Sequence, residues 1–122
     1  MKGHGFPARL GFAWAGLQAA WRREKSLRTH ALASALALAL LIVTGAPALW
    51  WAILALTIGL VVATELLNTA IEALADTVHP QRHPGIALTK DVAAAAVLVA
   101  AGVAIVVGLA FVVDQVLPWL GA

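Results

Sequence analysis

The chain is predicted to be an all-α membrane protein, with an N-terminal amphipathic helix in the interface followed by three transmembrane helices. Three observations lead there. First, 62% of its 122 residues are hydrophobic and only 11% are charged, against about 45–50% and about 25% in soluble domains. Second, every lysine and arginine (Lys2, Arg9, Arg22, Arg23, Lys25, Arg28, Arg82 and Lys90) precedes the first apolar run or lies near the 79–90 connection. Third, the apolar sequence is interrupted twice, by Gly45-Ala46-Pro47 and by the proline-rich stretch from His79 to Gly85. One domain, residues 1–122, accounts for this length. There is no cysteine, which excludes disulfides and thiolate metal sites.

Basic residues collect on the cytoplasmic side of membrane proteins. The N-terminus and the 79–90 loop are therefore expected in the cytoplasm, with residues 45–47 and 114–122 on the outer side. The first apolar run begins too far from Met1 for a cleavable signal peptide, and Arg28 and His30 sit directly against it.

The surface helix is expected over about residues 8–28. Leu10, Trp14, Leu17 and Trp21 recur at i, i+4, i+7 and i+11, beside Arg22, Arg23 and Lys25. This pattern suits a helix at the headgroup level, where tryptophan rings and basic side chains meet lipid. The first span is expected over about 29–45. Its apolar part, Ala31 to Val43, is short against the ~20 residues usually needed, so snorkelling of Arg28 and inclusion of His30 at the boundary should make up the difference. Gly45-Ala46-Pro47 ends that span, with Pro47 suited to the first helical position of the next.

The second helix is expected over 47–78, with Trp50 and Trp51 at the outer interface, matched later by Trp119. It is longer than one crossing requires, so its last turns should reach the cytoplasmic interface. After the polar break, the third span is expected over about 88–118, with its helix opening near Lys90-Asp91. Within it Ala96, Ala100, Ala104 and Gly108 repeat at i+4. Such a stripe lets helices approach closely in lipid, although alanine is simply abundant here and chance spacing explains it equally well.

The chemistry lies on the second span. Glu65, Asn68, Glu72 and Asp76 fall at i, i+3, i+7 and i+11, on one helical face. Intramembrane acids are costly and persist mainly where they bind an ion, a proton or a substrate. These carboxylates could hold Mg²⁺, act as a general base or relay protons; the bland reading is helix-to-helix glue. Lys90-Asp91 opens the third helix at a similar level, where the lysine could neutralise the acids or bind phosphate. Glu24 is the one acid of the basic N-terminal helix. His79 and His83 form at most a weak metal pair. Glycine-rich phosphate loops and the His-Glu-x-x-His motif are absent.

The run Glu65-Leu-Leu-Asn-Thr-Ala-Ile-Glu-Ala-Leu-Ala-Asp76, followed by Lys90-Asp-Val-Ala-Ala-Ala-Ala-Val-Leu98, closely resembles the bacterial diacylglycerol kinase / undecaprenol kinase family. The segment Ala15-Gly-Leu-Gln-Ala-Ala-Trp-Arg-Arg-Glu24 is similar to that family's N-terminal segment, so nearly the whole chain is covered. The resemblance implies a homotrimeric bundle in the bacterial inner membrane, using MgATP to phosphorylate diacylglycerol or undecaprenol at the cytoplasmic interface. By motif, Glu65 matches the catalytic base, and Glu24 and Glu72 match the metal ligands. Arg9, Phe12, Glu24, Glu72, Lys90 and Asp91 match the ATP site, supported by Asn68 and Asp76. Phe12-Ala13 stands where some family members have Tyr-Ser, and Glu24 to His30 looks more like the undecaprenol kinase branch. From another class, a non-catalytic proton or ion pathway, or an assembly subunit, would use the same acidic face.

Overall fold

The computed structural model describes Gly3 and residues 5–122. Met1, Lys2 and His4 lie outside the described residues, and with them Lys2 as one of the N-terminal cations. Four helices follow in order: α1 (Phe6–Arg23), α2 (Lys25–Thr44), α3 (Ala48–Val78) and α4 (Pro84–Phe111). A π-helical turn (Val112–Val116) and a last helical turn (Leu117–Trp119) close the chain. Three helical segments, Lys25–Thr44, Ala48–Val78 and Pro84–Trp119, are long and apolar enough to cross a membrane. Short connections make α2, α3 and α4 run up, down and up.

The N-terminal helix ends earlier than its periodicity suggests. It stops at Arg23, and Glu24 is extended at φ −105°, ψ 108°. Residues 25–28 therefore belong to α2. No proline or glycine forces this corner. Arg28 stabilises it by donating to the carbonyl oxygens of Trp21 (2.5 Å) and Arg22 (3.3 Å), placing a cation on the carbonyl end of α1. Ala20 and Leu27 flank the corner and are both buried, so the turn lets each pack inward.

Gly45 closes α2 at φ 64°, ψ 35°, a left-handed position that favours glycine. Pro47 is the extended residue before α3, which opens at Ala48, one position later than expected. The α4 helix opens at Pro84, well before Lys90. The His83 ring accepts the Gly85 N–H at 2.9 Å and Pro84 fits the first turn, where its missing N–H is no loss. The polar break thus shrinks to residues 79–83.

Leu54, Val61 and Glu65 of α3 are buried and share one face, at i, i+7 and i+11. Ala93, Ala100 and Phe111 do the same for α4, and α3 against α4 is the most extensive helix pair. Of the small-residue stripe, Ala100 is buried and Ala104 and Gly108 are half-buried, while Ala96 is exposed. At the Gly45 end, Leu41, Ala46, Leu54 and Phe111 form the apolar cluster. Trp50 packs edge-on to Phe111 with ring centroids 5.3 Å apart and donates to Asp114 at 2.7 Å. The π turn holding Asp114 precedes Pro118, whose ring would collide with the carbonyl four residues back in a regular helix.

Outside these seams the spans are apolar and open: Leu32, Leu56 and Leu98 are each about three-quarters exposed in the single chain. Several hydroxyl groups on the spans are satisfied locally. Ser34, Thr44, Thr57 and Thr64 each donate to a carbonyl of the preceding turn, which suits a medium that supplies no hydrogen bonds.

Gly45→Ala should lower stability by about 1–2 kcal/mol, the cost of a β-carbon in the left-handed region. Thermal unfolding in detergent micelles measures it, and an unchanged midpoint would mean that the turn relaxes freely.

Candidate functional site

The acids of α3 meet partners that sequence spacing does not reveal. Glu65 is the one buried charged residue among those described, at 3% exposure. Its Oε1 lies 2.5 Å from Nδ1 of His30 on α2. The two atoms do not align as a regular hydrogen bond, and Glu65 Oε2 and Asn68 Oδ1 have no hydrogen-bond partner among the described residues. Placing His30 here is simple helix geometry, since α2 starts at Lys25 and its second turn faces the middle of α3.

One turn further along α3, Asn68 donates from Nδ2 to Glu72 Oε1 at 3.3 Å. This fixes one carboxylate oxygen of Glu72 and leaves the other available. Asp76 is exposed and bridges two cations. Its Oδ1 accepts from Lys90 Nζ at 2.5 Å and its Oδ2 lies 3.5 Å from an Arg23 nitrogen. Arg23 Nε is also 3.6 Å from Glu24 Oε1. One string of charges, Glu24–Arg23–Asp76–Lys90, therefore links α1, the corner, α3 and α4.

A polar cavity of about 120 Å³ opens beside these groups, lined by Glu24, Ser26, Glu65, Asn68 and Thr69, with Ala94 and Val97 of α4. A second cavity, about 220 Å³ and mostly apolar, lies along α2, α3 and α4, lined by residues including Ser34, Leu54, Val61, Ala104 and Gly108. His30 lines it as well, so its ring separates an apolar cleft from the Glu65 carboxylate. A third cavity, about 500 Å³, is framed by the 79–83 loop and the start of α4, with His79, Arg82, His83 and Lys90 on its walls. Its concentration of nitrogen-bearing side chains suits an anion.

The structure thus brings Glu24, Glu65 and Asn68 around one cavity and joins Asp76 to Lys90. Asp91, beside Lys90, is exposed. Arg9 and Phe12 are exposed on α1 and line none of these three cavities. No group of three His, Asp or Glu side chains gathers as a metal cluster among the described residues. A closed cage is not what Mg²⁺ requires; it usually takes one or two carboxylates and completes its shell with phosphate oxygens and water. The carboxylates of Glu24 and Glu72 fit that donor chemistry. His79 and His83 stack edge-on with centroids 5.3 Å apart, and His83 Nδ1 is occupied in capping α4.

Sequence reasoning missed two residues. Arg23 adjoins Glu24, and its basic neighbours hid it as a surface cation. His30 abuts the first span, a polar ring against hydrocarbon, and that position was its signal.

Comparison with known proteins adds a family. The model of prokaryotic diacylglycerol kinase matches residues 11–112. A diacylglycerol kinase of Escherichia coli is 36% identical over 90 residues, covering 74% of each chain. One from Synechocystis is 38% identical over 90 residues, covering 73% of this chain and 51% of that protein. An undecaprenol kinase of Bacillus subtilis is 37% identical over 78 residues, covering 64% of this chain and 63% of that protein.

The His30–Glu65 contact should respond asymmetrically to mutation. Glu65→Gln removes a buried charge and leaves a histidine that can be neutral, so the thermal midpoint should hold or rise. His30→Ala strands a buried carboxylate and should lower it. Equal losses in the two variants would show that the contact, rather than the desolvated charge, sets the balance.

Proposed function

The chain belongs to the prokaryotic diacylglycerol kinase family, a family of lipid kinases, and on that premise we propose that it transfers the γ-phosphate of ATP to the hydroxyl of a membrane lipid alcohol. The observation that carries the reading is the Glu65 carboxylate. It is buried, its oxygens have no regular hydrogen-bond partner among the described residues, and it borders both a polar cavity and, through His30, an apolar cleft. A base that serves a lipid hydroxyl needs that double exposure. A non-catalytic ion pathway or assembly subunit is not favoured, because the relatives are named as kinases.

In the proposed reaction Glu65 takes the proton of the lipid hydroxyl as its oxygen attacks the γ-phosphorus. The bond from that phosphorus to the bridging oxygen breaks, and ADP departs with the electron pair. Phosphoryl transfer asks little covalent chemistry of a protein; it asks for positioning and charge neutralisation. Lys90, held in place by Asp76, and Arg82 at the 79–83 loop would face the phosphates. Glu24 and Glu72 would hold Mg²⁺, which when bound neutralises charge on the phosphates. Asn68 orients Glu72. Arg9, Phe12 and Asp91 complete the nucleotide site in this reading; Arg9 and Phe12, which lie on α1, would reach it from that helix.

The proposed setting is the bacterial inner membrane, with the N-terminus and the 79–83 loop in the cytoplasm and the C-terminus outside. In it α1 lies in the interface, with Trp14 and Trp21, both exposed, among headgroups. The open apolar flanks of the spans suit a homotrimer surrounded by lipid. The names of the relatives keep two alcohols as candidates, diacylglycerol and undecaprenol, and the family name favours the first.

The test is transfer of labelled γ-phosphate from ATP to each alcohol in matched micelles, with and without magnesium. Transfer should require the metal. Glu65→Gln should lower kcat by about 10²–10⁴-fold, the usual contribution of a general base. Glu72→Ala should raise the magnesium concentration needed for half-maximal rate; unchanged magnesium dependence would remove Glu72 from the metal site. No transfer to either alcohol would overturn the reading.

A further inference from the structure

His30 has no place in the reaction as described so far, yet it makes the closest contact to the group at its centre. Nδ1 of His30 and Oε1 of Glu65 are 2.5 Å apart. Two bare lone pairs repel at that distance, so the contact needs a proton on one of the two groups, even though Nδ1 and Oε1 are off the line of a regular hydrogen bond. The pair is also held in place. Leu27, one turn before His30, is buried, and the Ser34 hydroxyl donates to the His30 carbonyl at 2.7 Å. Glu65 shares its α3 face with the buried Leu54 and Val61.

We propose that His30 is a positioning residue for Glu65, its imidazole holding Oε1 so that Oε2 is the oxygen that meets the lipid hydroxyl. The inference rests on the kinase reading above and adds a residue to it. The two carboxylate oxygens differ in their nearest neighbour: Oε1 is against the imidazole, while neither oxygen has a regular hydrogen-bond partner among the described residues. The positioning role also explains the ring's place on the wall of the apolar cleft. A lipid alcohol arriving from hydrocarbon meets the imidazole beside the carboxylate, and the ring blocks one of the two oxygens. The hydroxyl proton then passes to Oε2, the His30 proton stays where it is, and Glu65 afterwards releases its proton to water through the polar cavity.

The imidazole has a second effect. A carboxylate carried out of water needs a partner for its charge. Other groups compete weakly for this role. On α3, Asn68 is bonded to Glu72; at the corner, Glu24 is paired with Arg23 and Ser26 is uncharged; α4 offers Ala94, Val97, Ala104 and Gly108 to the two cavities. Among the described residues His30 is thus the one cation-forming group within ion-pair distance of Glu65.

The experiment compares the full chain with His30→Gln, His30→Ala and Glu65→Gln in lipid micelles, measuring kcat at saturating lipid together with KM for ATP. For His30→Ala kcat should fall by roughly 10²-fold, as for a misplaced reacting group, with KM for ATP unchanged. His30→Gln keeps an N–H donor, so it should recover much of kcat. A folded His30→Ala protein with the parent's kcat overturns the proposal, as does a rise in KM for ATP that accounts for the whole loss. If the alanine protein does not fold, His30→Gln decides alone, and a folded glutamine protein that loses kcat by about 10²-fold overturns the proposal. A parent without phosphotransfer overturns the kinase reading and this inference together. An active parent, an inactive Glu65→Gln and histidine variants that behave as the parent overturn this inference alone.

Discussion

An acid carried into the membrane must find a partner, and here the partners come almost entirely from other helices. Glu65 meets His30 of α2, and Asp76 meets Lys90 of α4 and Arg23 of α1. Only Glu72 is satisfied within α3, by Asn68. These pairings do more than relieve the acids. Exposed ion pairs contribute little to stability, but each of these fixes the rotation of one helix about its own axis relative to α3. Apolar packing alone would not, since the spans present leucine, valine and alanine on every side.

The corner at Glu24 follows from the same demand. A continuous helix through residues 8–28 would carry the chain straight past α3. The break at Glu24, secured by Arg28 on the last carbonyls of α1, sends α2 back along α3. It also leaves Glu24 on the wall of the polar cavity, sets Arg23 within reach of Asp76 and brings His30 to the level of Glu65. A single extended residue thereby sets the position of three of the charged groups in the candidate site.

Much of this was legible beforehand, for reasons that differ by element. The three apolar segments stand out because bilayer thickness imposes their length, and the acidic face because a 3.6-residue period aligns positions 65, 68, 72 and 76. The α4 start at Pro84 was hidden by its own polar surroundings, where two prolines and two histidines read as loop although Pro84 opens a helix. The corner was invisible because neither glycine nor proline marks it. His30–Glu65 and Arg23–Asp76 join residues far apart in the chain, and such pairs follow from the packing of helices rather than from any local spacing. The family resemblance supplied roles for Glu24 and Lys90 that their isolated sequence positions could not.

The three-residue link between α2 and α3 bears on how such a protein enters a bilayer. Gly45, Ala46 and Pro47 carry no charge, and Gly45 closes the turn through its own left-handed backbone. In the proposed orientation α2 and α3 can pass into the membrane as a preformed hairpin, with no ionised group to drag across. The later arrival of α4 is different, because Asp114 must cross with it. On the far side that carboxylate finds the Trp50 indole N–H already waiting on the hairpin. Gln115, its own neighbour, donates to the same oxygen, so in that orientation the one acid carried to the far side is covered from both segments.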